Sequence, residues 1–390
     1  MKEFDLEKFV NNTWEKKPDL LENFKFEESL DHISNSFFDN FFSTKLLHSS
    51  EVKLSKNGEY ISSENYCYGK ILSGDVVNHY ADLKKMMSYF ENGASIILPS
   101  VQNHFNEVKR TCIELERKLN HSVTANLYIT PKNAQGFSAH YDSHDVFVLQ
   151  LLGTKKWVIS QSKAMLPISN SKRPDVGELI FNKVLSKEDV LYIPRGVVHE
   201  VSTLDEMSIH ITYSVTPKRV ISIAKDVVAD LLENIAVSNP EVRKTIPVVP
   251  KVSLVEDVKK EVMDIISTLN SPEMVTLYLE NYFLKNETNR NYELNGHFKT
   301  ITDIDNIDIS TSLQFRRDLP FKIKQSEGSW TICFKNRFLK FDYKLFEIFK
   351  ELMSSSEFKV EDLNHGDLSS SDILSFVKVL IKNCFIYKKG

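Results

Sequence analysis

Ser138-Ala-His140-Tyr-Asp142, answered downstream by Tyr192-Ile-Pro-Arg-Gly-Val-Val-His199, is the stretch on which the reading of this chain turns. Side chains two apart on a strand project to the same side. His140 and Asp142 on one strand can therefore ligate one metal ion, and His199 from a later strand completes a facial set. Two imidazoles and a carboxylate on one face leave the other coordination positions open, the arrangement that suits non-haem Fe(II) oxygen chemistry.

The neighbouring sequence supports a ligand-holding fold. Short runs of strand character recur at Thr124–Thr130, Asp145–Leu152, Lys155–Ser160, Val190–Ile193 and Met207–Val215, as expected for an antiparallel barrel or jelly roll. Gly153-Thr154 separates two of these runs as a two-residue hairpin turn would. Period-two alternation puts Asn126, Tyr128 and Thr130 on one face, and His210, Thr212 and Ser214 on one face of the last run. Polar strand faces of this kind need partners, so they predict a hydrated or ligand-filled interior. Lys155 shares a face with Trp157, and a lysine aimed inward requires an anion. The segment from Ser160 to Asn182, with Pro167 and Pro174, reads as a loop.

The chain has 390 residues and a formal net charge of −4, enough length for two or three domains that need no disulfide or metal staples. Twelve Gly and twelve Pro exclude collagenous or long low-complexity segments. No apolar run approaches the roughly 20 residues of a membrane helix. Met1–Lys8 has no signal-peptide or transit-peptide character, and the four dispersed cysteines suit free thiols, so a cytoplasmic location is expected. Periodicity predicts a helix at Asn106–Leu119, helices at Ile221–Ile235 and Val255–Phe283 around a Pro-marked loop, and a last part running strand, helix, helix, strand. In that last part the Ser/Asp cluster at 369–372 suits an N-cap, and the arrangement is winged-helix-like. From Thr311 onward the net charge is +4, against −8 for the rest. With the acidic Glu361-Asp362 turn, this favours protein contact over direct nucleic-acid binding.

Asn126-Leu-Tyr-Ile-Thr-Pro131, Gln135-Gly-Phe-Ser-Ala-His-Tyr-Asp142, Asp145–Gln150, Gly153-Thr-Lys-Lys-Trp157 and Asp189-Val-Leu-Tyr-Ile-Pro-Arg-Gly196 together resemble the JmjC/cupin oxygenases of the ribosomal oxygenase group. Phe9-Val-Asn-Asn-Thr-Trp-Glu-Lys-Lys-Pro18 resembles that group's N-terminal signature. The resemblance implies an α+β chain. Its parts would be a double-stranded β-helix (cupin, jelly-roll) catalytic domain over 1–216 with N-terminal helical and strand decoration, a helical dimerisation region over 217–312, and a winged-helix domain over 313–390. It further implies Fe(II) held by His140, Asp142 and His199, with 2-oxoglutarate and O2 as cosubstrates. Lys155 would meet the distal carboxylate, with Tyr128, Ser214 and Asn126 around the cosubstrate. His210 reads as a supporting or core histidine, His144 as a surface or substrate-contacting histidine, Asp145 as a packing or turn residue, and Arg195 as a solvated or substrate-contacting group. The position before Asp189, often Gly in the group, is Glu188 here.

The resemblance implies a homodimer that hydroxylates an arginine or histidine side chain of a ribosomal protein. A hydroxylase of a ribosomally made natural-product precursor, with the winged helix reading the leader peptide, is the alternative. A non-catalytic regulatory cupin is disfavoured by the intact triad and Lys155.

Overall fold

The computed structural model describes residues 5–388 apart from 22–23, 31–34, 72–76, 171–173, 246–258, 260–261, 268–270, 288–291, 293, 318, 327, 335–336 and 364–365. Pro247, Pro250 and the start of the expected 255–283 helix thus lie outside the described residues. The chain divides into two units at Lys218/Arg219. Among the described residues no helix is long and apolar enough to cross a membrane.

The first unit contains thirteen described strands: β1 (Asp19–Leu20), β2 (Lys53–Lys56), β3 (Glu59–Ile61), β4 (Cys67–Ile71), β5 (Val77–Ala81), β6 (Ser95–Leu98), β7 (Ser122–Thr130), β8 (Asp145–Leu152), β9 (Lys155–Ser162), β10 (Val176–Leu185), β11 (Val190–Ile193), β12 (Val198–Thr203) and β13 (Ser208–Thr216). The major sheet runs β1-β11-β8-β13-β7-β6-β2-β3, and a minor sheet runs β10-β9-β12. All of their pairings are antiparallel.

This topology corrects the reading of Gly153-Thr154. It is not a hairpin turn, because β8 pairs with β11 and β13 while β9 pairs with β10 and β12. The two residues carry the chain from one sheet to the other. Gly153 has φ +62°, and a Cβ there would lie 2.0 Å from the Met207 carbonyl oxygen, so the crossing requires glycine. The 160–182 loop is also shorter than expected. β9 continues to Ser162, and β10 begins at Val176 as an edge strand whose residues are mostly exposed. A strand exposed on both faces lacks the alternation by which sequence reveals strands.

Alternation sorts the side chains of the major sheet. Val123, Ala125, Leu127 and Ile129 of β7, with Ile209, Ile211, Tyr213 and Val215 of β13, join a core outside the sheet. The helix Asn106–Leu119 closes that core with Val108, Cys112 and Leu115, at the spacing expected from the sequence. The opposite faces look into the space between the sheets. Part of that space is apolar, packed by Val146, Val148, Trp157, Ile159 and Leu191, and part is a cavity.

Glu188 explains the family's preference at its position. Its φ is +72°, a left-handed conformation that disfavours a Cβ by roughly 1–2 kcal/mol. Its ion pair with Lys25 (3.1 Å) is exposed on both sides and offsets little of that. Glu188→Gly is expected to raise stability by about 1 kcal/mol, less the extra entropy glycine gives the unfolded chain. A lower melting temperature in calorimetry would show that the side chain has a structural role beyond this turn.

In the second unit, helices Val220–Ser238 and Pro272–Glu287 pack together. They are followed by a core built from Leu313–Phe315, the helices Tyr343–Ser354 and Ser370–Lys382, and Ile386–Lys388. Ser369 caps its helix in a reciprocal capping box with Asp372. The expected strand-helix-helix-strand order lacks one feature of the structure. A three-stranded meander, Lys322–Ser326, Ser329–Phe334 and Arg337–Phe341, intervenes after the first strand. Trp330 of the meander stacks on Phe346 at 3.6 Å between ring centroids.

Candidate metal centre

The cavity between the sheets has a volume of about 240 Å³. At one end, His140, Asp142 and His199 each present a ligand atom, and these atoms lie within 4.8 Å of one another. Asp142 Oδ2 stands 3.9 Å from His199 Nε2. His199 is on β12 as expected, but His140 and Asp142 are not on a regular strand. His140 forms an isolated antiparallel bridge with His199, with N···O distances of 3.1 and 2.8 Å, and Asp142 follows outside any strand. The HxD alternation survives because the bridge imposes local β geometry on otherwise irregular backbone.

The three residues fit a divalent metal ion on the evidence of their own surroundings. His140 Nδ1 lies 2.8 Å from the Ser138 carbonyl, and His199 Nδ1 lies 3.2 Å from the Val197 carbonyl. A carbonyl can only accept, so each ring places its proton on Nδ1 and leaves Nε2 as a lone-pair donor. Burial, with His140 close by, holds His199 down at about 4. It is therefore a neutral ligand at neutral pH.

Lys155, only 2% exposed, also lines the cavity, donates from Nζ to Thr130 Oγ1 (2.9 Å) and lies 3.3 Å from His210 Nδ1. No ion pair to Lys155 occurs among the described residues, and burial alone depresses its pKa to about 7. Trp157 Nε1, on the same face of β9, is buried without a hydrogen-bond partner among the described residues. A buried lysine with no ion pair among the described residues makes this part of the lining fit for an anion.

Tyr128 lines the cavity with its ring stacked on His210, 4.7 Å between centroids and 2° from parallel. Burial, and then the nearby Asp142, push its hydroxyl well above the usual phenol range, so it stays a protonated donor. Asn126 also lines the cavity, but its Oδ1 accepts from the backbone N–H of Ser100 (3.1 Å), a residue in left-handed conformation. Ser214 lines the wall and is 6% exposed. His210 is buried among Tyr128, Trp157 and Lys155, away from the metal ligands. His144 is not a plain surface residue, because it lines the cavity with Nε2 4.0 Å from Asp142 Oδ2.

Arg195 differs from its sequence reading, and Tyr60 joins the site without having been singled out in the sequence. Arg195 is neither solvated nor turned to the mouth: its guanidinium is 8% exposed and pairs with Glu15 at 2.7 Å. Tyr60, from the β2–β3 hairpin, lines the cavity although nothing in its local sequence marks it. It arrives there because the hairpin tip pairs with the segment leading to His140, through Asn57 N to Gln135 O and Gly58 N to Gly136 O.

Comparison with known proteins agrees with this geometry. The JmjC domain family model matches residues 100–223. The "Bifunctional lysine-specific demethylase and histidyl-hydroxylase NO66" of Branchiostoma floridae is 32% identical over 213 residues, covering 53% of this chain and 30% of that protein. The NO66 of Dictyostelium discoideum is 34% identical over 192 residues, covering 47% of this chain and 36% of that one. The chain thus spans about a third of the length of these relatives. The fold is similar to that of Escherichia coli YcfD over the full chain, with a TM-score of 0.54 at 15% identity, covering 100% of this chain and 99% of that one. A structure described as YcfD, a ribosomal oxygenase, in complex with cobalt and 2-oxoglutarate superposes with a TM-score of 0.51 at 15% identity, covering 99% and 98% of the two chains. Residues 100–223 therefore carry a JmjC domain, within a cupin-type fold.

Proposed function

We propose that this protein is an Fe(II)- and 2-oxoglutarate-dependent oxygenase that hydroxylates an arginine or histidine side chain of a ribosomal protein. One observation carries the reading: a His-Asp-His donor set and a buried lysine, with no acidic partner among the described residues, face the same cavity. A metal-chelating 2-oxo acid with a second carboxylate would use both. Bound Fe(II), 2-oxoglutarate and O2 supply oxidation of a C–H bond coupled to decarboxylation.

The chain's own residues bind, orient and exclude. His140, Asp142 and His199 would hold the metal through Nε2, a carboxylate oxygen and Nε2. Lys155 Nζ, fixed by Thr130, would take the distal carboxylate and regain its charge from that partner, and Trp157 Nε1 and Tyr128 Oη would be available as further donors. Val146 and Val148 form an apolar wall that keeps water from the pocket. Ser214 closes the wall near the cosubstrate, and Asn126 serves it by holding the Ser100 turn.

We extend the proposal to the rest of the chain: a catalytic domain at 1–216, a helical dimerisation region at 217–312 and a winged helix at 313–390. Exposed Ile221, Val228 and Leu232, at i, i+7 and i+11 on one face of the first helix of the second unit, support a homodimer, since an open apolar helix face favours a partner. The winged-helix reading rests on the capped helix pair and the meander beside it. The NO66 relatives are named as histidyl-hydroxylases and YcfD as a ribosomal oxygenase, which favours a ribosomal protein substrate.

The test is mass spectrometry of unmodified ribosomal proteins incubated with the enzyme, Fe(II), 2-oxoglutarate and O2. A gain of about 16 Da on an Arg or His residue, absent with Asp142→Ala, is expected. Succinate formation with no ribosomal adduct would redirect the search to a dedicated peptide substrate.

A further inference from the structure

Arg195 is almost buried, yet it faces neither the cavity nor solvent. Its Nη2 pairs with Glu15 Oε1 at 2.7 Å, and its backbone N–H makes a longer contact, 3.4 Å, to Asp145 Oδ1. The same Asp145 oxygen accepts from Tyr192 Oη at 2.6 Å, and Tyr192 Oη accepts from the backbone N–H of Glu15 at 2.9 Å. Glu15, Arg195, Asp145 and Tyr192 thus close a ring of contacts. Asp145 and Tyr192 are completely buried within it.

The ring includes Arg195, a residue of the turn that touches two of the metal-ligand residues. In Pro194–Val197, Gly196 N–H donates to the Asp142 carbonyl at 2.9 Å, and the Val197 carbonyl receives His199 Nδ1 at 3.2 Å. One short turn therefore holds the backbone of one ligand and orients the ring of another. Arg195 is the residue that fastens this turn to the N-terminal segment. That segment is itself anchored, through the β1–β11 pairing of Asp19 with Tyr192 and the stacking of Trp14 on Tyr192.

Glu15 supplies the second argument. Its φ is +54°, a conformation glycine adopts without penalty and glutamate does not. That backbone directs its N–H at Tyr192, which any residue could do, but only an acidic side chain can also meet Arg195. Glu188 stands in the same backbone region with only an exposed partner.

We propose that Glu15 and Arg195 are positioning residues of the metal centre, through which the N-terminal segment sets the spacing of Asp142 and His199. This rests on the reading of those residues as metal ligands. Outer residues that orient metal ligands typically change metal affinity 10- to 100-fold when removed.

The experiment is Co(II) titration of the full-length protein, followed by its visible absorption well below the melting temperature, with melting curves recorded in parallel. Wild type is expected to bind one equivalent, and Asp142→Ala none. Arg195→Ala and Glu15→Gly are each expected to weaken Co(II) binding about tenfold or more. Glu15→Gly relieves the backbone but leaves the Arg195 guanidinium without its carboxylate, so its melting temperature should fall, and its affinity is read where the melting curve shows it folded. The exchanged pair Glu15→Arg/Arg195→Glu should recover much of the affinity. Unchanged affinity in a folded Glu15→Gly variant overturns the positioning role while leaving the ligand assignment intact. Absence of Co(II) binding in wild type overturns the ligand assignment and this role with it.

Discussion

Asp142→Ala is expected to abolish metal binding and to lower turnover by about a thousandfold or more, because two imidazoles without a carboxylate cannot hold a hard divalent ion with open positions. The effect should be confined to function. Asp142 is partly exposed, and its backbone carbonyl, which accepts from Gly196 N–H, is unaffected by the substitution. The apoprotein should therefore melt close to the wild-type apoprotein, within the few tenths of a kcal/mol of a surface change. Calorimetry of metal binding and a succinate assay check both halves. Wild-type turnover in this variant would remove the metal centre from the mechanism.

Lys155→Met should separate stability from function in the opposite sense. Its pKa is depressed by burial from 10.5 to about 7. Between those values the unfolded chain carries a proton that the folded chain does not, so this group makes stability rise with pH across that window. Below pH 7 the lysine is charged in both states, and the folded state bears the full desolvation cost. At about 1.4 kcal/mol per pH unit, the depression corresponds to an upper bound of roughly 4–5 kcal/mol.

Methionine has similar reach and no charge. The variant apoprotein should therefore be more stable than wild type at pH 6.5 by up to that amount, the difference shrinking as pH approaches 10.5. The lost hydrogen bond to Thr130 subtracts about 1 kcal/mol. The 2-oxoglutarate requirement should meanwhile rise by about two orders of magnitude, since a buried charge-assisted contact to a carboxylate is worth several kcal/mol. Melting curves across pH and the apparent KM for 2-oxoglutarate are the measurements. A stabilised variant with unchanged KM would show that another group receives the distal carboxylate.

Much of the site was legible because strand alternation is a local rule. Asn126, Tyr128 and Thr130 face the cavity together, as do His210, Thr212 and Ser214, and in each strand the intervening apolar residues face the outer core. Lys155 and Trp157 obeyed the same rule on β9. The ends of the helices at 106–119 and 370–382 were equally local, set by apolar spacing and by the Ser369 cap. The family resemblance concentrated in these strands and supplied the cofactor reading that periodicity alone could not.

What the amino-acid sequence determined by itself was the alternation, the caps and the donor types, since each depends on residues a few positions apart. The tertiary structure alone decided that Gly153-Thr154 crosses between sheets, that the exposed β10 is a strand, and that HxD sits on a bridge to His199. It also decided that Tyr60 reaches the cavity and that Arg195 turns away to Glu15. Those outcomes depend on which distant strand supplies the hydrogen bonds and which distant charge offsets desolvation, and a backbone group or guanidinium carries no local mark of its partner.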